Sequence, residues 1–599
     1  MMSVWLMASV VLTQSPSNPP EEPNIEAPEP VERVARRDLA QLGFDPKARG
    51  LRIESYVDLP LLTRADRVLN RAELVLVFDG ELKRDLEVAV NHERIGTISA
   101  DAVSGGDLEQ SFTLNPLSLS GNDTITLKFV GADLEEAPEA CREVEAGAWS
   151  ALTRGYIEVG TSILPLPNDV SLFPLPFVDP RIDDQEKVAL VMPGGARSTR
   201  AAILLAAGFN RITGIEPRFS VHREALPEAH AVVLLAGEEE AKKLGLPFEA
   251  KPTAFYATHP TATNLKLLVF SGDGVEALET AVLGMFVAEG RSGSELAADP
   301  RKVAEAIRAR VGSLPTSWTS VNEPLALGSL VDGDLVHEGG RTKTLSVGFR
   351  IPPDLFVWPA QEVPFEVHYG QTTALGQAPA RIDVEFNGRF LTTLPAIDGG
   401  DRRVELRLHR DSIRGYNALN FHVRYPESVA CIAGEADEGA VTIYGDSKFH
   451  FEKLPRFAVV PDVDRFVNDG YPFSRRGDLG ETTVVLSSTW QPREIEAVLS
   501  VFTHLAAVTE DLPTGVEVLS EAELPETLDR DLLLVGSLDT HRLVAQWREE
   551  VPATLGHRGF ELIDGGLLGQ LRNSVIRSDR QRAEDLLLHQ HETLAVLSG

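Results

Sequence analysis

The hexapeptide LEVAVN at residues 86–91 returns in altered form as IDVEFN at residues 382–387. In both segments apolar residues recur at every second position, which predicts a β-strand with one buried face. Both end in asparagine, a residue that favours turns. The flanking sequence repeats too, because GNDTITLKF at 121–129 corresponds to GYNALNFHV at 415–423. The two copies lie about 290 residues apart, and a repeat of that length indicates a tandem duplication rather than a solenoid.

The chain changes character in the same order within each copy. Short strand-like segments separated by turn residues precede residue 165 and return from about residue 340, which predicts antiparallel β-sandwiches. Buried strands alternating with helical patterns then follow, as in KVALVM at 187–192 before the helical stretch ARSTRAAILLAAGF. This alternation predicts a small α/β domain with a parallel sheet. The second copy repeats it, with AVVLLAG at 231–237 corresponding to DLLLVGS at 531–537.

The composition limits the classes of function open to the chain. Its 599 residues carry a formal net charge of −32, so a phosphate backbone would be repelled and a nucleic-acid surface is not expected. The two cysteines, Cys141 and Cys431, lie at equivalent positions of separate domains, and we expect no disulfide between them. The sequence has no HExxH motif, so we expect no metal site, and we expect no cofactor.

Two segments at the start of the chain precede the domains. Residues 1–14 form an apolar stretch that ends near small residues, and we interpret them as a signal sequence although the basic n-region is missing. Residues 15–46 are rich in Pro and Glu and are expected to form a disordered linker. The predicted domains then follow in order: sandwich 1 at 47–168, α/β domain 1 at 169–312, sandwich 2 at 313–455 and α/β domain 2 at 456–599.

A longer motif in the second copy resembles a known family. It comprises VTIYGDSKFHFEKLPRFAVVPD at 441–462 and GYPFSRRGDL at 470–479, between sandwich 2 and α/β domain 2. Together with the domain order, this motif is similar to the BcsB family, the regulatory subunits of bacterial cellulose synthase, over roughly residues 47–597. The fold class that the resemblance implies is multidomain β and α/β: a tandem duplication of a jelly-roll-like, carbohydrate-binding-like β-sandwich plus a flavodoxin-like α/β domain.

The resemblance also implies a role. A member of this family is expected to be a non-catalytic periplasmic subunit that is held at the inner membrane by a C-terminal transmembrane helix. It is expected to partner the catalytic subunit BcsA and to lie where the nascent β-1,4-glucan leaves the membrane. This sequence contains no such helix, and we expect it to stop short of the anchor. The family is also named for cyclic di-GMP, but the resemblance implies that the catalytic subunit binds the nucleotide. We therefore expect Arg475 and Arg476 to be a structural or surface pair.

Candidate glycan contacts are aromatic and amide side chains at loop positions. Sugar C–H groups pack on flat aromatic faces, and amide groups form hydrogen bonds with the hydroxyls. Trp149 lies in a loop-like stretch with Tyr156 nearby, where it is either a ligand platform or a plug over the core. Asn91 and Asn387 end strands and either serve the turn or contact sugar. Trp358 follows a proline-rich segment, where it either packs or binds.

Other functions are weighed against this one. The turns at 193–195 and 272–274 follow strands and open helices, so they either hold a phosphate or serve the geometry of the turn, and neither matches GxGxxG. Paired acids such as Asp183-Asp184 leave open a secreted glycan-active enzyme with carbohydrate-binding modules, which would need two carboxylates across a cleft. A sandwich-type adhesin is a third alternative, which the helix-bearing α/β repeats disfavour. We expect a binding protein.

Overall fold

The computed structural model of the chain describes most of its residues. The described residues are 32–44, 56–82, 84–103, 108–130, 151–164, 166–182, 187–338, 343–372, 379–397, 399–424, 439–458, 462–536, 540–546, 553–556 and 559–562. Trp149, Cys141, Cys431 and the predicted signal sequence lie outside the described residues.

Sandwich 1 is built from two antiparallel sheets. Its strands and one short helix are β1 (Glu32–Asp38), β2 (Tyr56–Leu62), β3 (Arg67–Phe78), β4 (Leu86–Val90), β5 (Glu93–Ile98), α1 (Ala100–Val103), β6 (Leu108–Leu114), β7 (Asn122–Phe129) and β8 (Leu152–Ile163). The sheet orders are β1-β8-β3-β6 and β2-β7-β4-β5. Every second side chain of β7, from Asp123 to Phe129, is buried, because alternation along a strand turns one face toward the core.

The first strand corrects the predicted linker. Residues 32–38, which composition assigned to the disordered segment 15–46, pair with β8 along the whole of β1. Leu39 and Leu42, just beyond the strand, are buried in the core of sandwich 1. Pairing with a distant strand and burial of these two side chains order a segment whose local composition favours disorder.

α/β domain 1 follows with a six-stranded sheet. Its elements are β9 (Val188–Val191), α2 (Thr199–Thr213), β10 (Phe219–His222), β11 (Ala231–Leu235), α3 (Glu238–Leu244), β12 (Thr253–His259), β13 (Ala262–Ser271), α4 (Val275–Val287), β14 (Glu295–Ala297) and α5 (Pro300–Arg310). The order is β10-β9-β11-β13-β12-β14. The first four strands in this order are parallel, as predicted, whereas β12 runs antiparallel to both of its neighbours, β13 and β14. The link from His259 to Ala262 is too short for a parallel crossover, so β12 and β13 form a hairpin.

Sandwich 2 repeats the first sandwich with more strands. They are β15 (Leu325–Ala326), β16 (Leu335–Glu338), β17 (Lys343–Arg350), β18 (Glu362–Thr372), β19 (Arg381–Phe386), β20 (Arg389–Leu394), β21 (Asp401–His409), β22 (Tyr416–Arg424), β23 (Ala440–Ile443) and β24 (Lys448–Phe449). One sheet has the order β17-β22-β19-β20; the other has the order β15-β24-β18-β23-β16, with β21 also paired to β18. Phe365 and Phe449 stack in its core with ring centroids 4.0 Å apart.

The strand registers confirm the duplication that the hexapeptides predicted. Leu86, which begins LEVAVN, pairs with Phe129, and Ile382, which begins IDVEFN, pairs with Val423. These partners are the last residues of the two matched nonapeptides. Both hairpins, β4–β5 and β19–β20, also carry a register shift after the third residue of the hexapeptide. The sheets β2-β7-β4-β5 and β17-β22-β19-β20 therefore share register as well as strand order.

α/β domain 2 has a three-stranded parallel sheet and a separate hairpin. Its elements are α6 (Val463–Asp469), β25 (Thr482–Leu486), α7 (Pro492–Thr509), β26 (Glu517–Ser520), β27 (Asp531–Val535), α8 (Arg542–Gln546), β28 (Ala553–Gly556) and β29 (Gly559–Leu562). The sheet order is β26-β25-β27, and β28 pairs with β29. The first three strands of α/β domain 1 have the same relative order, β10-β9-β11.

The two α/β domains share one hydrophobic core. Helix α2 of the first packs against α7 of the second, and buried apolar side chains of both helices belong to one continuous cluster. Arg200 of α2 donates to the carbonyl oxygen of Val516 at 2.9 Å, and Glu496 of α7 accepts from the backbone N–H of Val221 at 2.9 Å. The domains were predicted in sequence order, and this packing adds that the two α/β domains lie side by side.

Within the described ranges, every helix is too short or too polar to cross a lipid bilayer.

Candidate functional site

The loop that joins the two sheets at one end of each sandwich differs between the copies. In sandwich 1 residues 63–66 connect β2 to β3, whereas in sandwich 2 residues 351–361 connect β17 to β18. The longer loop has the sequence IPPDLFVWPAQ and carries the predicted glycan contact Trp358. Prolines disfavour helix and sheet pairing, so this segment is irregular; Ile351 and Val357 are buried in the core, whereas residues 358–360 are exposed.

Backbone and side-chain contacts fix this loop on the segment that leaves sandwich 2. The N–H of Phe356 donates to the carbonyl oxygen of Pro455 at 2.9 Å, and the N–H of Phe457 donates to the carbonyl oxygen of Asp354 at 2.7 Å. The Asp354 carboxylate also pairs with the Arg456 guanidinium at 2.7 Å. Two short extended segments are thereby held side by side, which sets the direction of their side chains.

Three aromatic side chains project from these two segments. The rings of Phe356 and Trp358 lie edge to face with centroids 5.0 Å apart, and those of Phe356 and Phe457 do so at 5.4 Å. Trp358 is 59% exposed and Phe457 is 55% exposed. Large aromatic side chains are mostly buried in soluble domains, so a group of exposed rings indicates a binding surface. We call Phe356, Trp358 and Phe457 the aromatic cluster.

The aromatic cluster has the chemistry of a sugar platform. The outer ring faces offer flat apolar surface for C–H groups, and the polar side chains of Gln361 and Arg456 lie in the same segments. The backbone of Trp358 is fixed by a hydrogen bond, because its carbonyl oxygen accepts from the N–H of Gln361 at 2.9 Å. Of the two alternatives for Trp358, packing or binding, its exposure favours binding.

Asn91 and Asn387 occupy equivalent turns, as the repeat predicted. Both have positive φ, 49° and 50°, a conformation that asparagine tolerates better than most residues. The Asn91 side-chain amide donates to Asp123 at 2.8 Å, and its oxygen accepts from the N–H of Thr124. The Asn387 amide makes the equivalent bonds with Asn417 and with the N–H of Ala418. Both amides are thus engaged in holding the turn to the neighbouring strand.

The remaining two predicted contacts belong to sandwich 1. Tyr156 lies on β8 and is half-buried, with the Arg36 guanidinium 3.4 Å from the centre of its ring. This cation–π contact with β1 covers one face of the ring. Trp149 lies outside the described residues.

Phe356 and Phe457 belong to the candidate site but were not identified from the sequence. Phe356 stands two residues before Trp358, a spacing that places both side chains on one side of an extended segment. That spacing was a usable signal. Phe457 reaches the cluster from a distant part of the chain, through the contact between the two segments, and no local pattern predicts it.

The arginine pair of the family motif is engaged within α/β domain 2. Arg475 contacts Asp531 at 2.7 Å and Glu481 at 2.9 Å, and Arg476 contacts Glu481 at 2.9 Å. These ion pairs join the loop before β25 to the starts of β25 and β27. They support the expectation of a structural pair.

The first glycine-rich turn of α/β domain 1 faces the second α/β domain. A Cβ atom built on Gly195, whose φ is +65°, would come within 3.1 Å of the Trp490 ring. The Arg223 guanidinium stacks on Trp490 at 4.2 Å. Trp490 is buried, so the mouth of this turn is covered by a side chain of the other domain. The turn follows strand β9, where a phosphate would bind in dinucleotide-binding sheets.

Models of known families match three parts of the chain. Residues 169–298 match the first FD domain of cellulose synthase BcsB, residues 324–448 match its second CBM domain, and residues 456–599 match its second FD domain. The three matches follow one another in the order of the chain and together cover well over half of it.

Curated relatives extend the similarity over most of the sequence. A "Cyclic di-GMP-binding protein" of Xanthomonas axonopodis pv. citri is 25% identical over 574 residues, which is 88% of this chain and 71% of that protein. "Cellulose synthase 1" of Komagataeibacter xylinus is 23% identical over 544 residues, which is 84% of this chain and 34% of that protein. This chain thus spans about a third of the length of the second relative.

Solved structures offer a weaker likeness. The carbohydrate-binding module CBM36, in complex with calcium and xylotriose, is 7% identical and covers 21% of this chain and 96% of its own, with a TM-score of 0.12. That score is too low to support a conclusion. The family is instead shown by the three domain models and by similarity along most of the chain. On these grounds the chain belongs to the cellulose synthase BcsB family, and it is an accessory subunit of that synthase.

Proposed function

We propose that this subunit is non-catalytic and periplasmic, that it supports the catalytic subunit BcsA, and that it guides the nascent β-1,4-glucan. The observation that carries the glucan part is the exposed aromatic cluster on sandwich 2, the domain that matches a CBM model of the family. A β-1,4-glucan exposes axial C–H groups on both faces of each ring, so exposed Trp358 and Phe457 are suitable contacts for it.

A glycan-active enzyme is the weaker alternative. Glycosidases place two carboxylates on opposite sides of the scissile bond. Beside the aromatic cluster there is a cleft whose lining carboxylates, Asp462, Asp464 and Asp469, all lie on α6 or at its start. Among the described residues, the opposite wall of this cleft carries no carboxylate. The arrangement favours binding over hydrolysis.

Nucleotide binding is not part of the proposed role of this chain. The relatives are named for cyclic di-GMP, and that nucleotide would require cationic groups that are available to its phosphates. Arg475 and Arg476 are committed to Asp531 and Glu481 instead. We infer that the catalytic partner binds the nucleotide.

Three further features belong to the same proposal. The α/β domains are flavodoxin-like, which the shared order of their first three strands supports, since flavodoxin-like sheets begin 2-1-3. The protein is periplasmic, and a C-terminal anchor holds it at the inner membrane, as the family resemblance implies. Trp149 remains a proposed glycan contact in sandwich 1, with Tyr156, Asn91 and Asn387 as secondary candidates.

Two experiments test the proposal. Co-purification with a cellulose synthase catalytic subunit, together with loss of glucan when the gene is deleted, is expected. Normal cellulose output from a clean deletion would contradict the accessory role. For Trp149, tryptophan fluorescence is titrated with cello-oligosaccharides in the unmodified chain and in Trp149→Ala. An unchanged response in the variant would remove Trp149 from the contact surface.

A further inference from the structure

The other face of the loop 351–361 lines a cleft. The cleft has a volume of about 590 Å³ and lies between sandwich 2 and helix α6. Pro352 and Pro353 of the loop form one side, Tyr416 at the start of β22 forms the floor beside them, and α6 forms the opposite side. This volume falls in the usual range for small-ligand sites, roughly 300–1,000 Å³.

The apolar part of the cleft is a ring surface. Tyr416 is 50% exposed, and the Arg350 guanidinium lies 5.3 Å from its ring centre. Arg350 in turn donates to the carbonyl oxygen of Asn468 on α6 at 2.9 Å. The Arg350 side chain contacts both the Tyr416 ring and α6, so the ring is held in place before any ligand binds. Pro352 and Pro353 add rigid apolar surface next to it.

The polar part of the cleft is buried. Asp469 is 6% exposed, and its carboxylate accepts from the Arg350 guanidinium at the long distance of 3.4 Å. Burial raises the pKa of Asp469 to about 6, although Arg350 and Arg465 oppose the shift. The Arg465 Nη1 atom, also at the cleft, is buried and has no hydrogen-bond partner among the residues that the structure describes. Buried polar atoms normally have partners, so these groups are suited to a polar ligand.

The charges at the cleft select the class of ligand. Three aspartates and two arginines, Arg414 and Arg465, line it, and Arg350 adds a third positive charge beside Tyr416, so the formal charges balance. A nucleotide would find no excess of positive charge for its phosphates, whereas a neutral polyhydroxyl chain needs none. Carboxylates accept from hydroxyls and guanidinium groups donate to them, so both kinds of side chain can serve a sugar.

We propose that this cleft is a second glucan subsite, which binds a short stretch of β-linked glucose with its C–H face on Tyr416 and its hydroxyls toward Asp464 and Asp469. The proposal rests on the proposed function, since it assumes that glucan reaches sandwich 2. It goes further by assigning a site between two domains, so that bound glucan would bridge sandwich 2 and α/β domain 2. The aromatic cluster lies on the other face of the same loop.

The test is calorimetric titration of the full chain with cellohexaose. Tyr416→Ala is expected to weaken binding about tenfold, since loss of one aromatic contact removes roughly 1–1.5 kcal/mol. Tyr416→Phe keeps the ring and is expected to bind normally. Phe390→Ala is the matched control, because Phe390 is 59% exposed on β20 and does not line the cleft. Asp464→Ala, on the exposed face of α6, is expected to weaken binding about threefold.

The outcomes separate the subsite from the accessory role. Cellohexaose affinity that is unchanged by both Tyr416→Ala and Asp464→Ala would overturn the subsite, and so would an absence of binding by the unmodified chain. Tighter binding of cyclic di-GMP than of cellohexaose, lost in Arg414→Ala, would assign the cleft to an anion instead and also overturn it. In each of these cases co-purification with the catalytic subunit would still stand, because it does not depend on this cleft.

Discussion

The two copies of the module join sandwich to α/β domain in opposite ways. Junction 1 consists of residues 63–66 and 176–181. Its Asp179 is 2% exposed and accepts from the backbone N–H of Ala65 at 2.9 Å and from the Arg181 guanidinium at 2.7 Å. Burial alone would raise the pKa of Asp179, but the hydrogen bonds from Arg181 and Ala65 outweigh it and hold the pKa at about 2.

Junction 2 consists of residues 351–361 and 462–469. Here Arg350 and Arg465 offset the burial of Asp469 only in part, and its pKa is raised to about 6. One sheet of each sandwich shares order and register, whereas the loop between β17 and β18 is longer than the loop between β2 and β3. The two copies thus have a common framework, and the copy with the longer loop has an open cleft and an exposed aromatic cluster. Junction 1 thus stabilises the contact between its two domains, whereas junction 2 leaves room for a ligand.

The largest expected effect on stability is at junction 1. Asp179→Ala removes the buried carboxylate of this ion pair, which leaves the Ala65 N–H without its acceptor and Arg181 with only the carbonyl oxygen of Thr63. We expect a loss of about 3–5 kcal/mol in the free energy of unfolding, measured by urea denaturation. Asp464→Ala on exposed α6 is the control and should change it by less than about 0.5 kcal/mol.

The pH dependence of the same joint gives an independent check. Because the folded pKa of Asp179 lies below its ordinary value, its stabilising contribution is present above about pH 4. It is lost as the pH falls toward 2. The destabilisation caused by Asp179→Ala should therefore shrink in acid, and an effect that is constant from pH 7 to pH 3 would contradict the bracing role.

The second expected effect is a gain in stability, and it lies at junction 2. The folded pKa of Asp469 is raised to about 6, so the contribution of this group to stability is fully present below about pH 4 and is lost as the pH rises through 6. Asp469→Asn resembles the protonated form. It should raise the free energy of unfolding by about 2–3 kcal/mol at pH 7.5, and by close to zero at pH 4. Urea denaturation at the two pH values measures this, and a destabilised variant at pH 7.5 would contradict it.

A smaller loss of stability is expected where Gly415 packs closely against Asp469 at junction 2. A Cβ atom on Gly415 would overlap the Asp469 carboxylate, so either that side chain or α6 must move to admit it. We expect Gly415→Ala to cost about 1–2 kcal/mol in thermal unfolding. Gly399→Ala is not a suitable control because Gly399 has positive φ, whereas Gly237 has open space at its Cβ and ordinary φ. Gly237→Ala should change stability by well under 1 kcal/mol.

Local periodicity was enough to predict the framework but not the joints. The alternation in LEVAVN and IDVEFN predicted two strands in matching positions, and the observed pairing of Leu86 with Phe129 and of Ile382 with Val423 confirms it. Such patterns are local, since a strand shows its buried face within a few residues. The antiparallel β12 was missed, although its short link to β13 was visible in the sequence.

The contacts that make the joints could not be predicted in this way. Phe457 reaches Phe356 only after the exit segment of sandwich 2 has paired with the long loop. The packing of α2 on α7 likewise joins two helices that are distant in sequence, and each has an apolar face that would fit other partners equally well. Trp358 was identified as a candidate because sugars pack on flat aromatic faces, but its exposure had to come from the structure.

The smallest effect on stability should accompany a clear effect on binding. Trp358 is 59% exposed, so Trp358→Ala should change the free energy of unfolding by less than about 1 kcal/mol. Cellohexaose affinity should fall about tenfold, and Trp358→Phe should recover most of it, because a ring face is restored. The short loop 63–66 of junction 1 has no aromatic residue in this position. Unchanged affinity in Trp358→Ala, with reduced affinity in Trp149→Ala, would therefore move the glycan contact to sandwich 1 and reverse the assignment of the two joints.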